Sequence, residues 1–344
     1  MNPYILSILI SNLALGTIIT AASYHWFLAW VGLELNTLAI IPILAKQHHP
    51  RATEAATKYF IIQATASSII LLSSTINAWH TGTWDITQLT MFPTPIMLTI
   101  ALAMKLGLVP MHFWLPEVMQ GTDITTALIV ATWQKLPPIS LLYLTTNQLP
   151  TTLLFILAIL STLVGGWSGL NQTQLRKIMA FSSIGHLGWM ATITTMSQKL
   201  LILTLSTYLL MTTSMFLVLT TLTAKTTKDL GTMWTTSPTL SSTALITLMA
   251  LGGLPPLIGF LPKWLILQEL TSNHLIPLAT TLALTSLLSL MFYMRLTYVT
   301  TLTTTPSTTT NTMKWRFKPS KPIYLTSTTI TMLLLIPITP LIYA

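Results

Sequence analysis

Lys105-Leu-Gly107-Leu-Val-Pro110-Met-His112-Phe113-Trp-Leu115-Pro116 sets glycine and proline in the middle of an apolar run. Gly252-Gly253-Leu-Pro255-Pro256-Leu-Ile-Gly259-Phe260-Leu261-Pro262-Lys263 does so again. Gly107 to Pro110 has the spacing of Gly253 to Pro256, and Phe-x-Leu-Pro or Phe-Leu-Pro follows each within a few residues. Proline removes a backbone donor and clashes with the preceding turn, so each run is expected to break or kink near mid-membrane. The second apolar stretch runs to roughly 30 residues, about 45 Å as a straight helix, longer than a bilayer's hydrocarbon core. An interruption resolves the excess. Broken helices at corresponding places in two halves mark inverted-repeat transporters, in which opened backbone lines a polar cavity. A proline kink that serves packing alone is the competing reading. It is weaker for two related segments, each beside an intramembrane lysine.

The rest of the chain fits that setting. Of its 344 residues 52% are hydrophobic and only 7% are Asp, Glu, Lys or Arg, against about 25% charged residues in soluble domains. Mean hydropathy is strongly positive, and a soluble globule is excluded. Apolar spans of about 20 residues fall at roughly 3–21, 25–44, 58–78, 95–116, 123–145, 150–170, 177–196, 199–222, 240–271, 275–298 and 322–343. The expected fold is therefore an all-α polytopic membrane protein of about eleven transmembrane helices, two of them broken, in an inverted repeat. The first repeat would take in about 1–145 and the second about 150–298, with a loop and last helix at 299–344. The length of the runs excludes a transmembrane β-barrel. Residues 1–10 lack a basic region before the first span, so no cleavable secretory signal is expected.

Charge in the loops is one-sided. Lys46, Arg51 and Lys58, Arg176 and Lys177, Lys225 and Lys228, and Lys314, Arg316, Lys318 and Lys321 fall on the N-terminal side, and Lys199 on the other. The positive-inside rule puts the N-terminus and these loops on the cytoplasm-like face and the C-terminus opposite. The net charge of +9 then reads as topology and contact with anionic phospholipid headgroups. Nucleic-acid binding fits poorly, because the basic residues are scattered over separate short loops. In the loop 299–321, Lys314-Trp315-Arg316-Phe317-Lys318 suits a segment lying at the interface, or a solvated tether to the last helix.

Four ionisable residues sit deep in spans: Glu34, Lys105, Lys135 and Lys263. Each costs about 2.5–3.5 kcal/mol on insertion scales. Burial favours a neutral amine and a nearby carboxylate favours the ammonium, so a lysine near Glu34 can be switched by moving the pair together or apart. A string of such lysines joined by water is a proton wire with adjustable stations. Structural ion pairs are the alternative, but one glutamate cannot pair three lysines. His112 follows the first break, and His186 lies in Phe181-Ser182-Ser183-Ile-Gly185-His186. Ser182 and His186, four apart, share a helix face and can hold a relay water; a packing role for either histidine is the alternative. His25, His80 and His274 suit interface anchoring, and His48 and His49 a solvated loop. Glu117 and Asp123 flank a short loop, where they suit either funnelling protons inward or capping the next helix, the cap being the stronger reading for Asp123.

There is no cysteine, which removes disulfides, thiolate catalysis, iron–sulfur ligation and cysteine zinc sites. No facing histidine pair suits haem, and no Gly-rich nucleotide loop is present. The chain has no evident means of carrying electrons, and neither cofactor nor metal is expected in it.

Lys-Leu-Gly-Leu-Val-Pro-Met-His-Phe-Trp-Leu-Pro-Glu at 105–117 closely resembles the signature of the proton-translocating antiporter-like subunits of respiratory complex I, and Gly-Leu-Pro-Pro-Leu-x-Gly-Phe-x-Pro-Lys at 253–263 their second broken helix. Trp30-Val-Gly-Leu-Glu34-Leu-Asn36 and Phe-Ser-Ser-Ile-Gly-His-Leu-Gly-Trp-Met at 181–190 extend the likeness over the whole chain. Low charge, absent cysteine and abundant threonine are similar to other proteins encoded in mitochondrial DNA. The resemblance implies that Glu34 and Lys105 form a Glu–Lys pair, that Lys135 is a central relay lysine, and that Lys263 serves the second broken helix. It implies that His112 and His186 lie along a hydrated axis. It implies a place in the mitochondrial inner membrane beside other hydrophobic and accessory subunits, with the N-terminus in the matrix and the C-terminus in the intermembrane space. NADH, FMN, iron–sulfur clusters and ubiquinone would bind to other subunits.

Two features depart from the family's wider pattern. That pattern has fourteen helices, and the shortfall here lies at the N-terminus, since Glu34 already falls in the second span. Some relatives carry glutamate where Lys263 stands. A stand-alone cation/proton antiporter and a purely structural membrane subunit are the competing functions.

Overall fold

Lipid offers no partners to open backbone, and the chain answers with helices almost throughout. A computed structural model describes residues 2–302, 323–334 and 336–339. Among the described residues there is no strand; two isolated bridges, His25 with Asp85 and Gln174 with Thr226, tie loops together. The helices are α1 (Pro3–Ala22), α2 (Trp26–Leu44), α3 (Pro50–Thr81), α4 (Thr94–Leu106), α5 (Trp114–Gly121), α6 (Ile124–Ala131), α7 (Leu136–Thr145), α8 (Thr151–Gly169), α9 (Leu175–Ile193), α10 (Gln198–Leu222), α11 (Thr227–Thr236), α12 (Pro238–Gly252), α13 (Phe260–Ser272), α14 (Ile276–Thr301) and α15 (Ile323–Leu334). Among the described residues six helices, α1, α2, α3, α8, α10 and α14, are long and apolar enough to cross a membrane, so the protein is multi-pass. The loop segment Lys314–Lys318 lies outside the described residues, as does part of the last expected span.

Helix starts follow local chemistry. Asn2 accepts from the Tyr4 N–H ahead of Pro3, and Pro50 opens α3. His25 and His49 are the caps of α2 and α3: each Nδ1 accepts from the backbone N–H two residues on. Both histidines stay exposed, so the capping bond adds to the expected anchoring and solvated positions. His25 also stacks on Trp84 with ring centroids 5.6 Å apart. Threonine is tolerated in the spans because its hydroxyl turns back on the helix. Thr99, Thr204 and Thr285 donate to the carbonyls of Ile96, Leu201 and Leu282 at 2.8, 2.9 and 3.0 Å.

Two compact units divide the chain. The first is Met1–Ser161 with Thr194–Met196; the second is Thr162–Ile193 with Ser197–Ala344. In the first, α2 packs on α1, and α3 packs on α2, α4 and α5. In the second, α12 packs on α10 and α14, and α9 contacts α10, α13 and α14. α9 falls outside the six helices long and apolar enough to cross a membrane, yet nearly every residue from Ile178 to Ile193 is buried. Protein, not lipid, surrounds it, which is why Ser182, Ser183 and His186 are acceptable there.

Both expected breaks are present, at 107–113 and 253–259, equal in length. Gly107 and Gly253 take left-handed backbone, with φ of 81° and 78°, which glycine adopts at no steric cost. The hydrogen bonds that close the two helices match. Gly107 N–H reaches Ala103 and Met104, and Leu108 N–H reaches Ala103. Gly253 N–H reaches Met249 and Ala250, and Leu254 N–H reaches Met249. This is the Schellman closure.

The stretch 123–145 departs from the single helix expected there. It is α6, a 3₁₀ turn at Trp133–Lys135, and α7. Pro137 and Pro138 have no N–H to offer the carbonyls of Trp133 and Gln134, so α-helical bonding lapses at that turn. The loop after α10 also holds the short helix α11. Asp229 there accepts from the N–H groups of Lys225 and Thr226, each at 2.8 Å, in a capping box. Burial works against its ionisation. The Thr226 and Lys225 backbone donors, the Thr226 hydroxyl and the Lys225 charge outweigh it and hold Asp229 below the usual carboxylate range.

Candidate functional site: buried amines at interrupted helices

In the first unit, Glu34 on α2 is half-buried between two hydroxyls. Thr37, one turn on, donates to Oε2 at 3.1 Å, and Ser67 on α3 donates to Oε1. Lys105, 5% exposed, lies in the last turn of α4. Its Nζ is 3.5 Å from the Gln63 carbonyl, and Gln63 Nε2 is 3.4 Å from the Lys105 carbonyl. Lys105 and Glu34 form no ion pair within 4.0 Å. Gln63 and Ser67 are one turn apart, so one face of α3 touches both groups.

The same face continues to Tyr59. Its hydroxyl donates to Gln134 Oε1 at 3.1 Å, and Gln134 Nε2 donates to Asn36 Oδ1 at 3.0 Å. All three are buried. This chain fixes the residue beside Lys135, which is 3% exposed in the 3₁₀ turn. His112, 6% exposed, occupies the first break with Nδ1 3.3 Å from the Pro110 carbonyl oxygen. No hydrogen bond joins it to Lys105.

Lys58, at the start of α3, pairs with Glu54 at 2.6 Å and with Glu117 of α5 at 2.8 Å. That clasp bridges α3 and the segment after the first break. Asp123 stands at the N-cap of α6, but its side chain makes no capping hydrogen bond.

In the second unit Lys263 folds back across the second break, and its Nζ donates to the Gly252 carbonyl at 3.0 Å. The first break closes differently: the Trp114 indole N–H donates to the Met104 carbonyl at 3.1 Å. Lys105 sits in the last turn of α4, and the Lys263 amine, from the first turn of α13, reaches the C-terminus of α12; the dipole favours positive charge at both C-termini. A cavity of about 10 Å³ is lined by Ser182, His186, Lys263, Thr285, Ser289 and Tyr293 among others, room for about one water. His186 also packs on Tyr208, ring centroids 5.6 Å apart. Ser182 and His186, placed on one face by their spacing, do meet at this space, together with Lys263.

Sequence reasoning missed Thr37, Tyr59, Gln63 and Ser67, and gave Asn36 and Gln134 no role. The spacing of 59, 63 and 67 on an apolar helix was the available signal. Among the described residues no cluster of three metal-ligating side chains occurs.

Residues 23–289 match the family described as NADH:quinone oxidoreductase/Mrp antiporter, TM, and residues 290–343 match NADH dehydrogenase subunit 2 C-terminus. The chain is 56% identical over 342 residues to NADH-ubiquinone oxidoreductase chain 2 of Varanus timorensis, covering 99% of each, and 55% identical to that of Oncorhynchus mykiss, covering 100% and 99%. Among solved structures it resembles a chain of respiratory complex I from Thermus thermophilus with a TM-score of 0.88 and 26% identity, covering 100% of this chain and 80% of that one. A chain of the Mrp complex from Dietzia sp. DQ12-45-1b shares the fold at a TM-score of 0.84 and 15% identity, covering 97% and 75%. The chain belongs to the NADH:quinone oxidoreductase/Mrp antiporter membrane family.

Proposed function

We propose that this chain is a proton-translocating, antiporter-like core subunit of the membrane arm of respiratory complex I. It couples electron transfer from NADH to ubiquinone, carried out by other subunits, to proton movement. The relatives named NADH-ubiquinone oxidoreductase chain 2, at over half identity and full length, support the assignment. The observation that carries the mechanism is the placing of amines in oil at interrupted helices. Lys105 and Lys135 are buried and Lys263 is half-buried, and each lies beside an interruption of helical bonding. A charge there is costly, which is why intramembrane ionisable residues mark ion and proton paths.

Glu34, Lys105 and Lys135, with His112, are the proton stations of the first unit, and His186 and Lys263 those of the second. A proton held on an amine at a helix C-terminus is stabilised by the dipole and leaves when a neighbouring charge changes. The two units correspond to two inverted repeats within about eleven spans. The membrane is the mitochondrial inner membrane, with the N-terminus in the matrix and the C-terminus in the intermembrane space. Neighbours are other hydrophobic and accessory subunits and anionic phospholipids; NADH, FMN, iron–sulfur clusters and ubiquinone bind elsewhere.

Lys135→Met in the assembled complex tests this. Loss of proton transport with assembly retained is expected. Full transport at full assembly would leave Lys135 a packing residue and the relay unsupported.

A further inference from the structure

Most serines and threonines of the spans have one acceptor, the carbonyl three residues back, as Thr99 and Thr204 do. The two hydroxyls at Glu34 have two. Ser67 Oγ lies within hydrogen-bond distance of Glu34 Oε1 and, at 2.9 Å, of the Ala64 carbonyl. Thr37 Oγ1 lies 3.1 Å from Glu34 Oε2 and 3.0 Å from the Glu34 carbonyl. A hydroxyl has one hydrogen, so each must choose. Both are buried, Ser67 at 1% and Thr37 at 6% exposed, so bulk water cannot make the choice for them.

We propose that Ser67 and Thr37 are positioning residues whose hydroxyls turn between carboxylate and backbone, so that Glu34 takes up and gives back a proton without any heavy atom moving. The inference rests on the reading of Glu34 as a proton station. With Glu34 ionised, both hydroxyls donate to it, one to each oxygen, in charge-assisted bonds. When a proton binds Oε1, the new O–H donates to Ser67 Oγ, and the Ser67 hydrogen turns to the Ala64 carbonyl. Thr37 goes on donating to Oε2, now the carbonyl oxygen of the acid. One proton is gained, the charge goes from −1 to 0, and every donor keeps an acceptor. Protonation at Oε2 runs the same way through Thr37 and its alternative, the Glu34 carbonyl. Release reverses the rotation. A fixed donor, such as a backbone N–H, would favour the ionised form alone and resist the cycle.

The test is difference infrared spectroscopy and proton transport on the assembled complex with Ser67→Ala, Ser67→Thr, Thr37→Val and Glu34→Gln. Glu34→Gln identifies the acid carbonyl band of Glu34 and tests the underlying reading by itself: unchanged transport in that variant would overturn the reading of Glu34 as a station. Ser67→Ala is expected to move that band and slow proton-coupled turnover about tenfold, the size set by losing a hydrogen bond to a charged group. Ser67→Thr, which keeps the hydroxyl, is expected to restore both. Thr37→Val is expected to raise the band's frequency, because the acid carbonyl loses its donor. Should Ser67→Ala fail to assemble, Thr37→Val decides. A band unmoved by Thr37→Val, or by Ser67→Ala in an assembled complex, overturns the inference.

Discussion

Replacing Gly253 by alanine strikes the second break in two separable ways. Its φ of 78° is left-handed, which costs a residue with a Cβ about 1–2 kcal/mol. Its Cβ would also fall 2.8 Å from Lys263 Nζ and 3.1 Å from Cδ and Cε. The amine must then shift, and the contact at stake is its hydrogen bond to the Gly252 carbonyl at 3.0 Å. Losing a hydrogen bond from a charged donor is worth about 1.5–3 kcal/mol, roughly tenfold or more in any step that needs the amine in place. Gly107 is the internal control. Its φ of 81° carries the same backbone cost, but its Cβ would meet Leu115 at 3.2 Å and Trp114 at 3.4 Å, not a lysine. Gly107→Ala and Gly253→Ala are therefore expected to lower thermal stability of the assembled complex alike. Gly253→Ala alone should reduce protons moved per electron pair, read by dye quenching in proteoliposomes alongside a native gel. Adding Lys263→Met to Gly253→Ala should change little more, since both remove one placement. Equal transport in the two glycine variants at equal assembly would refute the assignment of Lys263 to the second break's carbonyl.

Other tests follow from the same geometry. Tyr59→Phe leaves Gln134 Oε1 buried without its donor and should destabilise the first unit by about 1–3 kcal/mol; a double-mutant cycle with Gln134→Leu should show coupling between the two. Lys58→Ala should leave the melting temperature unchanged within error at physiological salt, because exposed ion pairs add little; a clear fall would make the α3–α5 clasp structural. Asp229 is held below the usual carboxylate range, so its contribution is complete above the unfolded carboxylate's pKa and is lost as pH falls through the lower folded value. Amide protection over α11, compared between the native chain and Asp229→Asn, should therefore differ by a constant amount from pH 5 to 8. The difference should vanish only in stronger acid, and a change near neutrality would contradict the capping role.

What the sequence disclosed depended on how rare each signal is in oil. Glycine and proline in an apolar run, and lysine far from a loop, have few meanings there, so both breaks and the three intramembrane lysines were legible. Ser67, Gln63 and Tyr59 were not, since serine, glutamine and tyrosine occur in spans for many reasons. Only packing α3 on α2 and α4 shows that their shared face meets Glu34 and Lys105. Glu34 and Lys105 were expected as a pair; what hydrogen-bonds Glu34 is Thr37 of α2 and Ser67 of α3, while Lys105 Nζ faces the backbone carbonyl of Gln63. The turn at Trp133–Lys135 was signalled by Pro137-Pro138, but hydrophobicity alone made one span of it. His49 shows the reverse: it lies in a loop as expected, yet its ring nitrogen is used by the helix that follows.

The claim beneath all of this is that an amine buried at an interrupted helix moves protons. Lys105→Met, with stoichiometry measured as protons per two electrons in reconstituted complex of verified assembly, addresses it at the residue where burial, break and nearby carboxylate coincide. Electron transfer with fewer protons moved, or turnover that stops while the complex stays whole, is the expected result. An undiminished ratio at normal turnover would show that Lys105 is there to pack α4 against α3.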